Sequence, residues 1–310
     1  MSTSWFEKIP PSSNLHIDLS LFGVHNGVLV LKREDLLHLK VSGNKFRKLK
    51  YNVRQAKQLG YGQLLTFGGA FSNHIAAVAA MGKELGWKTV GVIRGEELID
   101  KIDDNPTLQY AKKCGMNLYF VSREAYKGKA ETSFLDMLEE KFGRCYCIPE
   151  GGTNALAVMG CEEVLSEIDH SFDYICTAVG TGATMAGLVN SSLPEQKVLG
   201  FSALKGTFQK NDMQKYLRKD NFEITDAYCF GGYAKIDGSL IRFINEFKEK
   251  TGIPLDPIYT GKMVFGIIDL LKKGKFNENS RILAIHTGGL QGIAGMNKKL
   301  SKKNLPQIIV

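Results

Sequence analysis

Lys45, Arg47, Lys48 and Lys50 fall within one short stretch, VSGNKFRKLKYN, at residues 41–52. A lysine amine held beside apolar surface gives up its proton more readily, and the neutral amine can form an imine with a carbonyl compound. Read as a helix starting at Ser42 or Gly43, the stretch sets Phe46, Leu49, Val53 and Ala56 on one apolar face. At about 100° per residue, Lys45 lies roughly 50° from the centre of that face, Lys48 and Lys50 about 90–110° away, and Arg47 nearly opposite. Lys45 is therefore the member nearest the interior. Arg47, Lys48 and Lys50 are expected on a solvated face beside an anionic site. The same geometry also suits a Lys45 that runs its stem along apolar surface and keeps its ammonium in water.

Three other stretches carry groups able to hold a small anionic molecule. AVGTGATMAG (residues 178–187) follows an apolar run, and Gly180 and Gly182 let backbone N–H groups converge on an anion at the start of the next helix. It is neither a dinucleotide fingerprint, which needs glycine where Met185 stands, nor a nucleoside triphosphate loop, which needs Gly-Lys-Ser/Thr. TFGGAFSNHIAAVAA (residues 66–80) places Ser72 or Asn73 as a helix N-cap, with Gly69, Ala70 and His74 around it. Such an end suits a carboxylate, and it is equally what a simple cap requires. Near the C-terminus, PLDPIYTGKMVFG puts Tyr259 and Thr260 at a turn, and AIHTGG puts Thr287, Gly288 and Gly289 after a strand; hydroxyls there can also merely satisfy turns. An imine-forming lysine, a phosphate cup, an anion-binding helix end and hydroxyls at strand ends together point to pyridoxal 5'-phosphate as cofactor.

The elements that must position these groups alternate along the chain. Short apolar runs bounded by glycine, such as QLLTFGG, KTVGVIR, YICTAVG and RILAIHTGG, are separated by amphipathic helices. That alternation predicts an α/β protein built on largely parallel sheets covered on both faces. With 310 residues, two domains or one large α/β unit are expected. The charge of +8 is spread along the chain and carries no aromatic-interleaved basic patch, so nucleic acid is not an expected partner. The six cysteines form no Cys-x-x-Cys pair, which argues against a structural metal site; Cys176 and Cys229 sit in apolar runs as expected buried thiols. Neither a signal-like N-terminus nor a membrane-length apolar run is present, and a cytoplasmic location is expected.

In this order, SGNKFRKLKYN, TFGGAFSNHIAAVAA, VGTGATMAG, YTGK and HTGG resemble the D-cysteine desulfhydrase and 1-aminocyclopropane-1-carboxylate (ACC) deaminase family, across nearly the whole chain. These are fold-type II pyridoxal-phosphate enzymes related to the tryptophan synthase β subunit. The resemblance implies a two-domain chain, with residues 1–47 plus 158–310 forming a large cofactor domain and residues 48–157 a small mobile α/β domain, in a homodimer. It implies Lys45 as the Schiff-base lysine, Asn44 at the cofactor's ring hydroxyl, and Gly180, Thr181, Gly182, Ala183 and Thr184 around the phosphate. Ser72, Asn73 and His74 would meet the substrate carboxylate, with Ser72 also a candidate for proton transfer. Tyr259 would pack near the ring and Tyr233, in FGGYAK, would face the substrate.

ACC deaminases resembling this chain carry glutamate where Thr260 stands and leucine where Thr287 stands; the desulfhydrases carry threonine at both. A hydroxyl at the pyridine nitrogen stabilises a protonated ring less than a carboxylate does. That suits elimination of a good leaving group such as hydrosulfide better than opening of a cyclopropane. The implied reaction is β-elimination from a small amino acid, most directly D-cysteine to pyruvate, hydrogen sulfide and ammonia, with Lys45 as the base at Cα. Two departures from the family pattern bear on the substrate: Ser42-Gly43 replaces a common Gly-Gly, and SNHIAA lacks the arginine that commonly follows this motif in desulfhydrases. ACC, serine or another small D- or L-amino acid therefore stay open as substrates, as does a pyridoxal-phosphate or amino-acid binding protein without turnover.

Overall fold

Strands and helices alternate along almost the whole of the computed structural model, which describes residues 11–41 and 43–310; Ser42, one of the two expected helix starts, lies outside the described residues. In chain order the elements are β1 (Asn14–Ile17), β2 (Val28–Lys32), α1 (Asn44–Gln58), β3 (Gln63–Gly68), α2 (Asn73–Leu85), β4 (Lys88–Arg94), α3 (Pro106–Lys113), β5 (Met116–Val121), α4 (Thr132–Phe142) and β6 (Tyr146–Ile148). There follow α5 (Ala155–Glu162), β7 (Tyr174–Val179), α6 (Ala183–Ser191), β8 (Lys197–Ser202), α7 (Gln209–Gln214), β9 (Phe222–Thr225), α8 (Gly238–Thr251), α9 (Thr260–Lys272), β10 (Arg281–Ile285) and α10 (Gly292–Ser301).

Two sheets result. The larger has six strands in the order β1-β2-β10-β7-β8-β9, parallel except for the β1–β2 pair, in which Asn14 faces Lys32. The smaller is fully parallel in the order β5-β4-β3-β6. Near-continuous apolar runs in the central strands require cover on both faces. On the large sheet, Leu240, Ile244, Met263, Ile267 and Ile293 of α8, α9 and α10 fill one side, and Ala157, Met185, Leu188 and Met213 of α5, α6 and α7 the other. On the small sheet, α1, α2 and α3 supply Phe46, Leu49, Ile75, Val78 and Leu108 to one face, and α4 supplies Leu138 to the other.

The residue boundaries expected at 47/48 and 157/158 both fall inside helices, α1 and α5. These two helices pack so closely that a Cβ on Gly160 would lie 2.0 Å from the Arg47 carbonyl oxygen. The joint between the two sheets is therefore a pair of packed helices. Cys161, Cys176 and Cys229 are buried thiols, and every cysteine is free. Among the described residues, no helix is long and apolar enough to cross a membrane.

Candidate active site

The C-terminal ends of β3, β7 and β10 open onto one cavity of about 580 Å³, at the place where open parallel sheets bind ligands. It brings together Asn44, Lys45, Ser72, Asn73, His74, Gly180, Thr181, Gly182, Thr184, Tyr233, Tyr259 and Thr287 from stretches far apart in sequence. Ala183 and Thr260, also expected at the site, are buried just behind the wall and do not line it.

Lys45 reaches the cavity because of what its neighbours lack. Gly43 has φ +61°, a left-handed conformation, and a Cβ there would fall 1.9 Å from the Thr287 carbonyl oxygen. The start of α1 is thereby seated against the end of β10, and Asn44 N–H donates to the same carbonyl at 3.4 Å. Lys45 Nζ donates to Asn44 Oδ1 at 3.1 Å, and Asn44 Nδ2 donates to Thr184 Oγ1 at 2.8 Å. Burial, reinforced by the neighbouring Lys48 charge, pushes the Lys45 amine down to about 7. Near neutral pH it is thus available in the unprotonated form that attacks a carbonyl.

The expectation for the other three basic residues is corrected by the structure. Lys48 is 3% exposed, and its Nζ donates to Gly151 O at 2.9 Å and to Thr181 Oγ1 at 3.4 Å. Burial lowers its amine to about 8. Arg47 makes a two-pronged contact with the fully buried Glu34, Nε to Oε2 at 2.9 Å and Nη2 to Oε1 at 2.8 Å. Lys50 pairs with Glu163 at 2.8 Å. None of the three lies on a solvated face. The helix has two covered sides: α2 takes its apolar stripe while α5 and α6 cover much of the rest, and only the first is written in the hydrophobic period.

At the start of α2, Ser72 Oγ accepts from the N–H groups of His74 (3.2 Å) and Ile75 (3.3 Å). It caps the helix and still lines the cavity, so the cap and the binding roles coexist. Asn73 Oδ1 is held by Gln291 Nε2, and Gln291 Oε1 accepts from Thr107 Oγ1 at 3.1 Å. Gln291, two residues beyond HTGG, was not anticipated; it fixes Asn73 so that its amide donors stay free. His286, likewise not anticipated, accepts from Gly288 N–H at Nδ1 (3.2 Å), which leaves Nε2 to donate to Pro254 O at 2.8 Å and fixes the turn after β10. His74 is 1% exposed with both ring nitrogens unpartnered within the protein, and burial together with Lys45 and Lys48 holds it well below its ordinary value, so it is neutral. Buried polar atoms of this kind call for a ligand or water.

Tyr233 and Tyr259 meet edge to face, with ring centroids 6.3 Å apart. Burial raises both phenols, so both stay protonated donors. A Cβ on Gly180 would lie 3.1 Å from the Tyr259 ring, which is how that ring reaches the glycine loop. Among the described lining residues, Asp35 is the one carboxylate, against Lys40, Lys45 and Lys48 and the starts of α2 and α6. The cavity favours an anionic guest.

The family model described as pyridoxal-phosphate dependent enzyme matches residues 16–288. The chain belongs to this family. A Pyrococcus furiosus protein provisionally named 1-aminocyclopropane-1-carboxylate deaminase is 34% identical over 292 residues, covering 85% of each chain. The Arabidopsis thaliana bifunctional D-cysteine desulfhydrase/1-aminocyclopropane-1-carboxylate deaminase is 31% identical over 305 residues, covering 88% of this chain and 75% of its own. The crystal structure of an ACC deaminase homologue superposes with a TM-score of 0.81 at 28% identity, covering 97% of this chain and 99% of its own. The fold is that of the fold-type II pyridoxal-phosphate enzymes, and pyridoxal phosphate is the cofactor.

The residues present in this pyridoxal-phosphate enzyme fit that group. Gly182, at φ +89°, stands at the start of α6, and Thr181, Thr184 and the Lys48 ammonium converge there, a set that would seat a phosphate. Lys45, whose amine burial lowers to about 7, would supply the amine for the aldehyde. The unpartnered ring nitrogens of His74 and the free donors of Asn73 mark where further polar groups would be met.

Proposed function

We propose that this enzyme is a lyase that eliminates the β-substituent of a small amino acid, with D-cysteine as the favoured substrate. The observation that carries the elimination is Lys45: a buried amine lowered to about 7, held on Asn44, in the same cavity as the α2 start. Pyridoxal phosphate, when bound, supplies an electron sink for the pair left when the Cα–H bond breaks. Asn73 and the amides at the start of α2 bind and orient the carboxylate of the amino acid. Lys45 takes the proton from Cα, a task matched to a group that titrates near neutral pH. The protonated Tyr233 and Tyr259 face the cavity as donors for charge that develops on a departing sulfur.

The choice of D-cysteine over ACC rests on the chain's threonines at 260 and 287, where resembling ACC deaminases have glutamate and leucine; the Arabidopsis relative is named for both activities. The deciding experiment measures 2-oxo acid release by the holoenzyme, as pyruvate from D-cysteine, L-cysteine and D-serine and as 2-oxobutanoate from ACC. Turnover of D-cysteine above the other three is the expected result. Turnover of ACC alone would overturn the substrate assignment, and absence of any 2-oxo acid from all four would overturn the elimination chemistry.

A further inference from the structure

Lys262 stands one turn along α9 from Tyr259 and is 1% exposed, yet no carboxylate is hydrogen-bonded to its amine. Its Nζ donates to two carbonyls of one loop, Cys229 O at 2.8 Å and Gly232 O at 2.9 Å. The same two oxygens also close the loop's own turns, accepting from Gly232 N–H at 2.9 Å and Lys235 N–H at 3.2 Å. This loop joins β9 to α8 and carries Tyr233. Its backbone is held in the left-handed region at Phe230 (φ 51°), Gly231 (85°), Gly232 (115°) and Ala234 (55°). Such a run persists only where surrounding contacts over-determine it, and a buried ammonium is costly unless its donors are used. The Cys229 thiol and the Asp256 carboxylate are the titratable groups facing it.

We infer that Lys262 is a positioning residue: its ammonium clamps the 229–234 loop to α9, so that Tyr233 and Tyr259 are presented to the cavity by one rigid element. The tyrosine pair then keeps its edge-to-face geometry whether or not a substrate is present. The catalytic consequence rests on the elimination proposed above; the clamp does not.

Two variants release the loop from opposite sides. Lys262→Met removes the donors, and Gly232→Ala keeps them while straining a φ of 115° with a Cβ that meets nothing closer than 3.7 Å. Hydrogen exchange of the amides at 229–235, followed by mass spectrometry on the protein with and without pyridoxal phosphate, should quicken in both variants while cofactor affinity stays unchanged. With a substrate that yields pyruvate, kcat should fall on the order of ten- to a hundredfold in Lys262→Met. That loss should largely vanish when Tyr233 is already phenylalanine, since a residue acting through another is not additive with it. Unchanged exchange in Lys262→Met would overturn the clamp, and fully additive losses in the double variant would show that it does not act through Tyr233. Because exchange is read without substrate, a wrong substrate and a wrong clamp give different results.

Discussion

A Cβ on Gly43 would lie 1.9 Å from the carbonyl oxygen of Thr287. This contact joins the residue preceding the Asn44–Lys45 pair to the turn after β10 that carries Thr287, so two adjoining walls of the cavity depend on it. Gly43→Ala should therefore do two things. The left-handed backbone alone costs about 1–3 kcal/mol in a non-glycine residue, and relief of the clash must shift α1 away from β10. Thermal unfolding should move to lower temperature, and the surviving folded protein should take up pyridoxal phosphate poorly, as read by visible absorbance after gel filtration.

Lys45 and Lys48 should separate by the kind of loss each causes. Borohydride reduction in the presence of pyridoxal phosphate, followed by peptide mapping, should attach the cofactor to Lys45 in the wild type and to neither lysine in Lys45→Ala. Lys48→Met should still be labelled at Lys45. Loss of a charge-assisted bond is worth about 1.5–3 kcal/mol, so its cofactor dissociation constant should rise about ten- to a hundredfold. Labelling at Lys48 in the wild type would reverse the assignment.

The cofactor-free protein should become more stable as pH rises from about 7 towards 10. Burial lowers Lys45 to about 7 and Lys48 and Lys262 each to about 8, against 10.5 for an unburied lysine. Between those limits the unfolded chain holds protons that the folded chain has released. The unfolded state thus binds more protons, and stability rises with pH across the window. Below about 7 both states are protonated and these groups contribute no slope. Urea unfolding at pH 7.0, 8.5 and 10 checks this, and Lys48→Met should flatten the rise.

Much of this arrangement can be read from the sequence, and the exceptions have definite causes. The alternating apolar runs predict the central strands because those strands are buried on both faces. β1, β6 and β9 sit at sheet edges with three or four residues each, too short for any period to show. Lys45 is legible because it borders the stripe Phe46, Leu49, Val53 and Ala56. Lys48 is not, since its burial comes from the loops at Gly151 and Thr181, which are remote in sequence. Gln291 and His286 act on other residues, Asn73 and the Gly288 turn, and carry no local pattern of their own. Tyr259 and Thr260 are adjacent in the chain, yet only the first faces the cavity.

That last difference yields a test at the cofactor's ring nitrogen, where the sequence points to both Thr260 and Thr287. Thr260 Oγ1 donates to Asp256 Oδ1 at 2.8 Å and accepts from Asp256 N–H at 3.0 Å, and the same carboxylate takes the N–H groups of Ile258, Tyr259 and Thr260. Thr260 is fully buried in that network, whereas Thr287 lines the cavity. Thr260→Val keeps the shape but strands one buried N–H and removes one donor from the carboxylate. It should cost about 1–3 kcal/mol of stability, read in urea, with the visible spectrum of the bound cofactor little changed. Thr287→Val should leave stability nearly as it was and shift that spectrum, because a hydroxyl lost from the cavity wall alters the protonation of whatever ring faces it. A spectral shift in Thr260→Val alone would mean that the ring nitrogen is served from α9, and that the buried Asp256 carboxylate, one hydroxyl behind it, tunes the electron sink.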